Sequence, residues 1–166
     1  MSRAQNAEFT VNFPPDRPKI TQPSVILYGA IESSPTENWA TSLTKSLSHL
    51  AVTVINPRCD AWDSTWDEDI NCAPFKKQVD WEIDHADVAD LIVFYFKPGT
   101  PCPITLLELG MHAARFPQKC IVCCPKGFYK RGNVEIVSRR LEVLSFVEDL
   151  EGLEMVVQDK LGQLLA

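Results

Sequence analysis

Asp90-Leu91-Ile92-Val93-Phe94-Tyr95-Phe96 leads through Lys97-Pro98-Gly99-Thr100-Pro101-Cys102-Pro103 into Ile104-Thr105-Leu106-Leu107-Glu108-Leu109-Gly110-Met111-His112. The first run is short, apolar and rich in β-branched and aromatic residues, so it reads as a buried strand. The second holds three prolines and a glycine and reads as a loop. The third continues to about Arg115 and reads as a helix. Strand, loop and helix in that order form half of a βαβ unit, and repetition of the unit implies a parallel sheet with right-handed crossovers.

The unit does repeat on both sides. Upstream, Ser24 to Tyr28 reads as a first strand closed by Gly29, and Ser34-Pro35-Thr36-Glu37 has the form of a capping box opening a helix that runs to about His49. Val52 to Ile55 is a second strand, and Phe75 to Val88 a second helix. Downstream come a strand over Lys119 to Cys124, a helix from Asn133 to Arg140, a fifth strand over Val143 to Val147 and an amphipathic tail from Glu148 to Ala166. The expectation is a single-domain, doubly wound, mainly parallel five-stranded α/β sheet flanked by helices, flavodoxin- or Rossmann-like. Residues 1–22, polar and proline-bearing without sustained period, are expected to form a flexible N-terminal arm on a domain spanning 23–166.

The 166 residues suffice for one core, and the net charge of −6 argues against a general nucleic-acid binder. No apolar run approaches membrane-spanning length and the N-terminus has no basic-then-apolar leader, so the expected location is cytoplasmic. Cys120 and Cys123 have a metal-like spacing, but residues three apart on a strand point to opposite faces, which favours buried structural thiols. His49, His85 and His112 are scattered without ligand spacing, so no metal is expected.

On a parallel sheet the segments following each strand meet at one edge, where ligands bind. The four segments are Gly29 to Ser33, Asn56 onward, Lys97 to Cys102 and Pro125 to Gly132. The first lacks the three spaced glycines of a dinucleotide fingerprint, and there is no Walker motif, so neither NAD nor ATP is expected and no cofactor is implied. Glu108 is a carboxylate among apolar neighbours just past this edge, placed either for chemistry or on a solvated helix face. Gln78 and Glu82 share a helix face and together offer donors and acceptors to a nucleobase edge, or else form an ordinary polar surface. Trp62, in an acidic loop with Trp66, either stacks on a flat ligand or pins the loop. His112, one turn beyond Glu108, reads as a packing residue.

Several landmarks together resemble the nucleoside 2-deoxyribosyltransferase family, in particular its deoxyribosyltransferase-like branch. They are Val25-Ile26-Leu27-Tyr28-Gly29-Ala30, Asn56-Pro57-Arg58, Gln78-Val79-Asp80-Trp81-Glu82, Ala89-Asp90, Leu106-Leu107-Glu108-Leu109-Gly110 and Gly127 to Val134. The resemblance implies cleavage of the N-glycosidic bond of 2′-deoxynucleosides. Glu108 would be the nucleophile at the anomeric carbon, Glu82 would contact the leaving base, and Asn133 would position the nucleophile or the sugar. A deoxyribosyl ester would pass to another base in a transferase or to water in a hydrolase. The substrate side is expected from Tyr28, Gly29, Ala30, Trp62, Gln78 and Cys102. Two positions depart from the family pattern: Leu27 stands where typical transferases carry tyrosine, and Cys102 where many carry a sugar-binding aspartate.

The expected ligand is a small nucleoside or nucleotide, and the family implies a homo-oligomer. The cations of Lys126, Lys130 and Arg131 either hold a 5′-phosphate or are simply solvated. Two further readings stand beside the enzyme: a non-catalytic nucleotide-binding or sensing module on the same fold, and a structural role.

Overall fold

A computed structural model describes residues 7–34 and 38–166. It contains six strands and five helices: β1 (Thr10–Asn12), β2 (Ser24–Gly29), α1 (Trp39–Ser46), β3 (Thr53–Ile55), α2 (Ala73–Val88), β4 (Leu91–Tyr95), α3 (Pro103–Arg115), β5 (Cys120–Cys123), α4 (Arg131–Arg140), β6 (Ser145–Val147) and α5 (Leu150–Leu165). The strands form one sheet in the order β1-β3-β2-β4-β5-β6, and each of the five pairings is parallel. Leaving β1 aside, the order β3-β2-β4-β5-β6 is the flavodoxin-like 2-1-3-4-5 arrangement, whose topological switch point lies between β2 and β4.

The strands are apolar on both faces because helices cover both. Ile26, Tyr28, Ile92, Phe94, Cys120 and Val122 pack in one layer with Trp81 and Ala86 of α2, Leu109 and Ala113 of α3 and Val134 of α4. Val25, Leu27, Val93, Tyr95, Ile121 and Cys123 pack in the other with Trp39 and Leu43 of α1 and with Leu153, Val157 and Leu161 of α5. Alternation along β5 sends Cys120 and Cys123 to opposite layers, and all six cysteines are free thiols. The carboxylate of Asp90 accepts from the Ser24 amide at 2.8 Å and its hydroxyl at 3.1 Å, fixing the start of β2 beside that of β4.

The sheet has six strands where the sequence predicts five. The extra strand, β1, lies within the stretch expected to be an arm. It pairs with β3, and Thr10 and Thr53 join their hydroxyls at 2.8 Å. Three residues in a polar, proline-bearing stretch carry no readable period, which is why this strand escapes a pattern search.

The first helix also begins later than predicted. Asn38, whose Oδ1 accepts from the Thr41 amide at 2.9 Å, is its N-cap, and Ser34 is not. Pro35, Thr36 and Glu37 of the expected capping box lie outside the described residues. The helix over Pro103–Arg115 has the expected bounds, while α4 starts two residues before Asn133. No helix among the described residues is long and apolar enough to cross a membrane.

Candidate active site

All four post-strand segments meet at the C-terminal edge of the sheet, and side chains tie each to a neighbour. The Glu32 carboxylate, after β2, bonds the Lys97 ammonium, after β4, and accepts from the Trp39 amide at 2.9 Å. Burial alone would raise the Glu32 carboxyl, but Lys97 and the Trp39 N–H outweigh it and hold it below its usual range. Arg58, after β3, donates to the Glu32 carbonyl at 3.4 Å. Tyr129, after β5, donates to the Pro101 carbonyl at 3.0 Å. Glu32, Lys97 and Arg58 carry no signal of this role in the sequence, because an ion pair between two loops has no period to read.

Two carboxyl groups lie beneath this rim. Glu108, in the second turn of α3, retains 9% of its exposure. Its carboxyl pairs with that of Glu82 of α2, and the pairing favours the proton on Glu108 and the charge on Glu82. Burial, the nearby Glu82 charge and the shared hydrogen bond push Glu108 up to about 9. Burial also raises Glu82, while bonds from Gln78 and Glu108 pull it back. The arrangement is the like-charge dyad of physical chemistry: two carboxyls this close in a dry setting hold a proton in common.

Tyr28 lies next to the pair. It is at the end of β2, on the same sheet face as α2 and α3, and its hydroxyl donates to the Glu82 carbonyl at 2.7 Å. Burial and the charges of Glu108 and Glu82 raise its pKa, so it stays a neutral phenol. Leu27 faces the opposite layer, among α1 and α5. The tyrosine on the carboxyl face is therefore Tyr28, one position later than the family pattern. His112 stacks on the Tyr28 ring with centroids 5.6 Å apart, is fully buried, and has neither ring nitrogen hydrogen-bonded. Burial lowers its pKa, so it packs as a neutral ring.

Gln78 links this pair to the rim. Its Nε2 donates to the Pro57 carbonyl at 2.9 Å and to Glu82 Oε1 at 2.8 Å. Trp62 is 43% exposed and packs edge-on against Phe75 at 6.0 Å and against Trp66 at 5.3 Å. Gly29 closes β2 where no side chain fits: a Cβ there would lie 2.7 Å from both the Trp39 ring and the Tyr95 carbonyl. Ala30 donates to that same carbonyl and accepts from the Trp39 indole at 2.9 Å. Cys102 is buried at the N-cap of α3, in the left-handed region at φ 42°, with its sulfur 3.1 Å from the Thr100 hydroxyl.

Other expected site residues lie apart. Asn133 is exposed in the first turn of α4 and makes no hydrogen bond to the pair. Arg131 does not turn toward Glu108: it bonds the Cys124 carbonyl at 3.0 Å and Glu148 at 2.5 Å, and pairs with Glu135. The Lys130 ammonium rests over the Tyr129 ring, 5.4 Å from its centroid. The phosphate reading of that loop therefore loses its arginine. Two clefts, of about 690 and 490 Å³, are lined neither by Glu82 nor by Glu108. Among the described residues no group of histidine, cysteine and acidic side chains could hold a metal.

A family model described as nucleoside 2-deoxyribosyltransferase like matches residues 22–128, more than half of the chain. No curated protein matches. A solved structure titled as a conserved protein from Enterococcus faecalis V583 is similar in fold, with a TM-score of 0.61 at 10% identity, over 84% of this chain and 99% of that one.

Proposed function

Because the chain belongs to the nucleoside 2-deoxyribosyltransferase-like family, we propose that it is an N-glycosyl enzyme that transfers or hydrolyses the 2-deoxyribosyl group of nucleosides or nucleotides through an ester on Glu108. The observation that supports this reading is the buried pairing of the Glu82 and Glu108 carboxyls, with the Tyr28 hydroxyl near the end of β2 bonded to the Glu82 carbonyl. The proton passes from Glu108 to Glu82. The freed Glu108 carboxylate attacks C1′ and forms the C1′–O bond as the C1′–N bond breaks. The electron pair leaves with the base, and Glu82 delivers its proton to a ring nitrogen. An acceptor base or water then displaces Glu108 from C1′ and returns a proton to the pair. The logic is that of a retaining glycosidase, in which one carboxylate attacks while the other handles the leaving group. Tyr28 holds the α2 backbone at Glu82 and fixes one side of the dyad.

The low exposure of Glu108 and the placement of both clefts away from it favour the competing reading, a nucleotide-binding module without turnover. Incubation with 2′-deoxynucleosides and their 5′-monophosphates, with and without a second free base, separates the two. Base release or exchange that disappears in Glu108→Ala supports the enzyme. Retained binding without release across the panel supports the module.

A further inference from the structure

The amide of Gln78 limits which bases can sit against the carboxyl pair. A side-chain amide has two N–H donors and one carbonyl acceptor. Both donors of Gln78 are committed, one to the Pro57 carbonyl and one to Glu82 Oε1. The Pro57 carbonyl can only accept, so the amide cannot be turned over without setting two carbonyl oxygens against each other. Oε1 is the group left for a ligand. No described residue donates to it, and it is not among the side-chain atoms sealed off without a partner.

The 2.8 Å contact between Gln78 and Glu82 holds these two groups side by side on one face of α2. The edge they offer to a departing base is an acceptor, Gln78 Oε1, next to the Glu82 carboxyl, which accepts while the proton rests on Glu108 and becomes a donor once that proton has passed to it for glycosyl transfer. We infer that the site selects bases whose Watson–Crick edge sets an exocyclic amino group beside an unprotonated ring nitrogen, adenine and cytosine, over their oxo counterparts. This inference rests on the glycosyl-transfer reading of Glu82 and Glu108. The amino group donates to Oε1 while the ring nitrogen accepts from Glu82. Hypoxanthine and guanine set their O6 against Oε1, acceptor against acceptor. Uracil and thymine reverse both positions. A site with a fixed, buried polar edge rejects a mismatched partner strongly, because its own groups are left unpaired. Phe75, three residues before Gln78 on α2, packs edge-on against Trp62 of the preceding loop, with ring centroids 6.0 Å apart.

Matched pairs test this: 2′-deoxyadenosine against 2′-deoxyinosine, and 2′-deoxycytidine against 2′-deoxyuridine, assayed for base release. The four free bases are titrated in parallel by calorimetry. The expected result is a preference for the amino member of each pair of about tenfold or more in kcat/KM, falling toward equality in Gln78→Met. Equal rates, or a preference for the oxo members, would overturn the inference and leave the glycosyl-transfer reading intact. Amino bases that bind more tightly than oxo bases, without any turnover, would uphold the inference and overturn the catalytic reading. Neither turnover nor binding of any base would overturn both.

Discussion

Replacing Glu108 by glutamine should make the protein more stable at neutral pH while abolishing its activity. The folded state holds a proton on Glu108 up to about pH 9. The unfolded chain releases it near the ordinary carboxylate value of about 4.3. Between those limits the folded state binds one more proton than the unfolded state, so stability falls as pH rises, by about 1.4 kcal/mol per pH unit. From pH 5 to pH 7 the wild type therefore loses roughly 2–3 kcal/mol through this group alone. Glutamine copies the protonated acid, because its amide can still donate to Glu82, and it does not titrate. Urea unfolding followed by tryptophan fluorescence, run every half unit from pH 5 to pH 8, gives the comparison. Glu108→Gln should match the wild type near pH 5 and exceed it by about 2–3 kcal/mol near pH 7. Parallel curves would refute the reasoning, because they would mean that the two carboxyls hold no common proton when folded.

Other substitutions test the surroundings of the pair. Gly29→Ala places a methyl 2.7 Å from the Tyr95 carbonyl, where backbone cannot yield as a flexible side chain does, and should cost about 1–3 kcal/mol in urea unfolding. Tyr28→Phe keeps the ring stacked on His112 but loses the bond to the Glu82 carbonyl; it should cost about 1 kcal/mol and lower the melting temperature by about 2–4 °C. The dyad works with one proton, so kcat/KM should follow a bell in pH, read from initial rates, with its alkaline limb well above ordinary carboxylate values; Glu82→Gln, which cannot carry the proton to the leaving base, should lower kcat/KM by about a hundredfold or more and abolish that limb. Trp62→Ala should raise KM for a nucleoside more than it lowers kcat, read from initial rates, since the indole touches neither carboxyl.

Much of the architecture is legible in the sequence because the strands and helices differ in period. Asp90 to Phe96 is too apolar and too short to be anything but a strand covered on both faces, and α3 follows with the expected bounds. What escapes the sequence depends on the third dimension. β1 is three residues whose only reason to be extended is the open edge of β3. The start of α1 is set by Asn38 and by the Glu32 carboxylate seven residues before Trp39, a contact no local motif encodes. In the site, Glu108 and Glu82 are each visible as odd carboxylates on helices, but their common proton exists only because α2 and α3 lie side by side on one sheet face. The same geometry puts Tyr28 rather than residue 27 on the carboxyl side, since adjacent strand residues face opposite layers. The basic loop shows the reverse case: Arg131 reads as a free cation until Glu135 and Glu148 are placed beside it.

Glycosyl transfer through Glu108 requires an ester on its carboxylate. The most direct measurement is acid quenching during incubation with deoxynucleosides and their 5′-monophosphates, followed by peptide mass spectrometry. The expected result is a deoxyribosyl or deoxyribosyl-phosphate adduct on the peptide carrying Glu108, with both adduct and base release absent in Glu108→Gln. Base release without that adduct, or its persistence in Glu108→Gln, would contradict it.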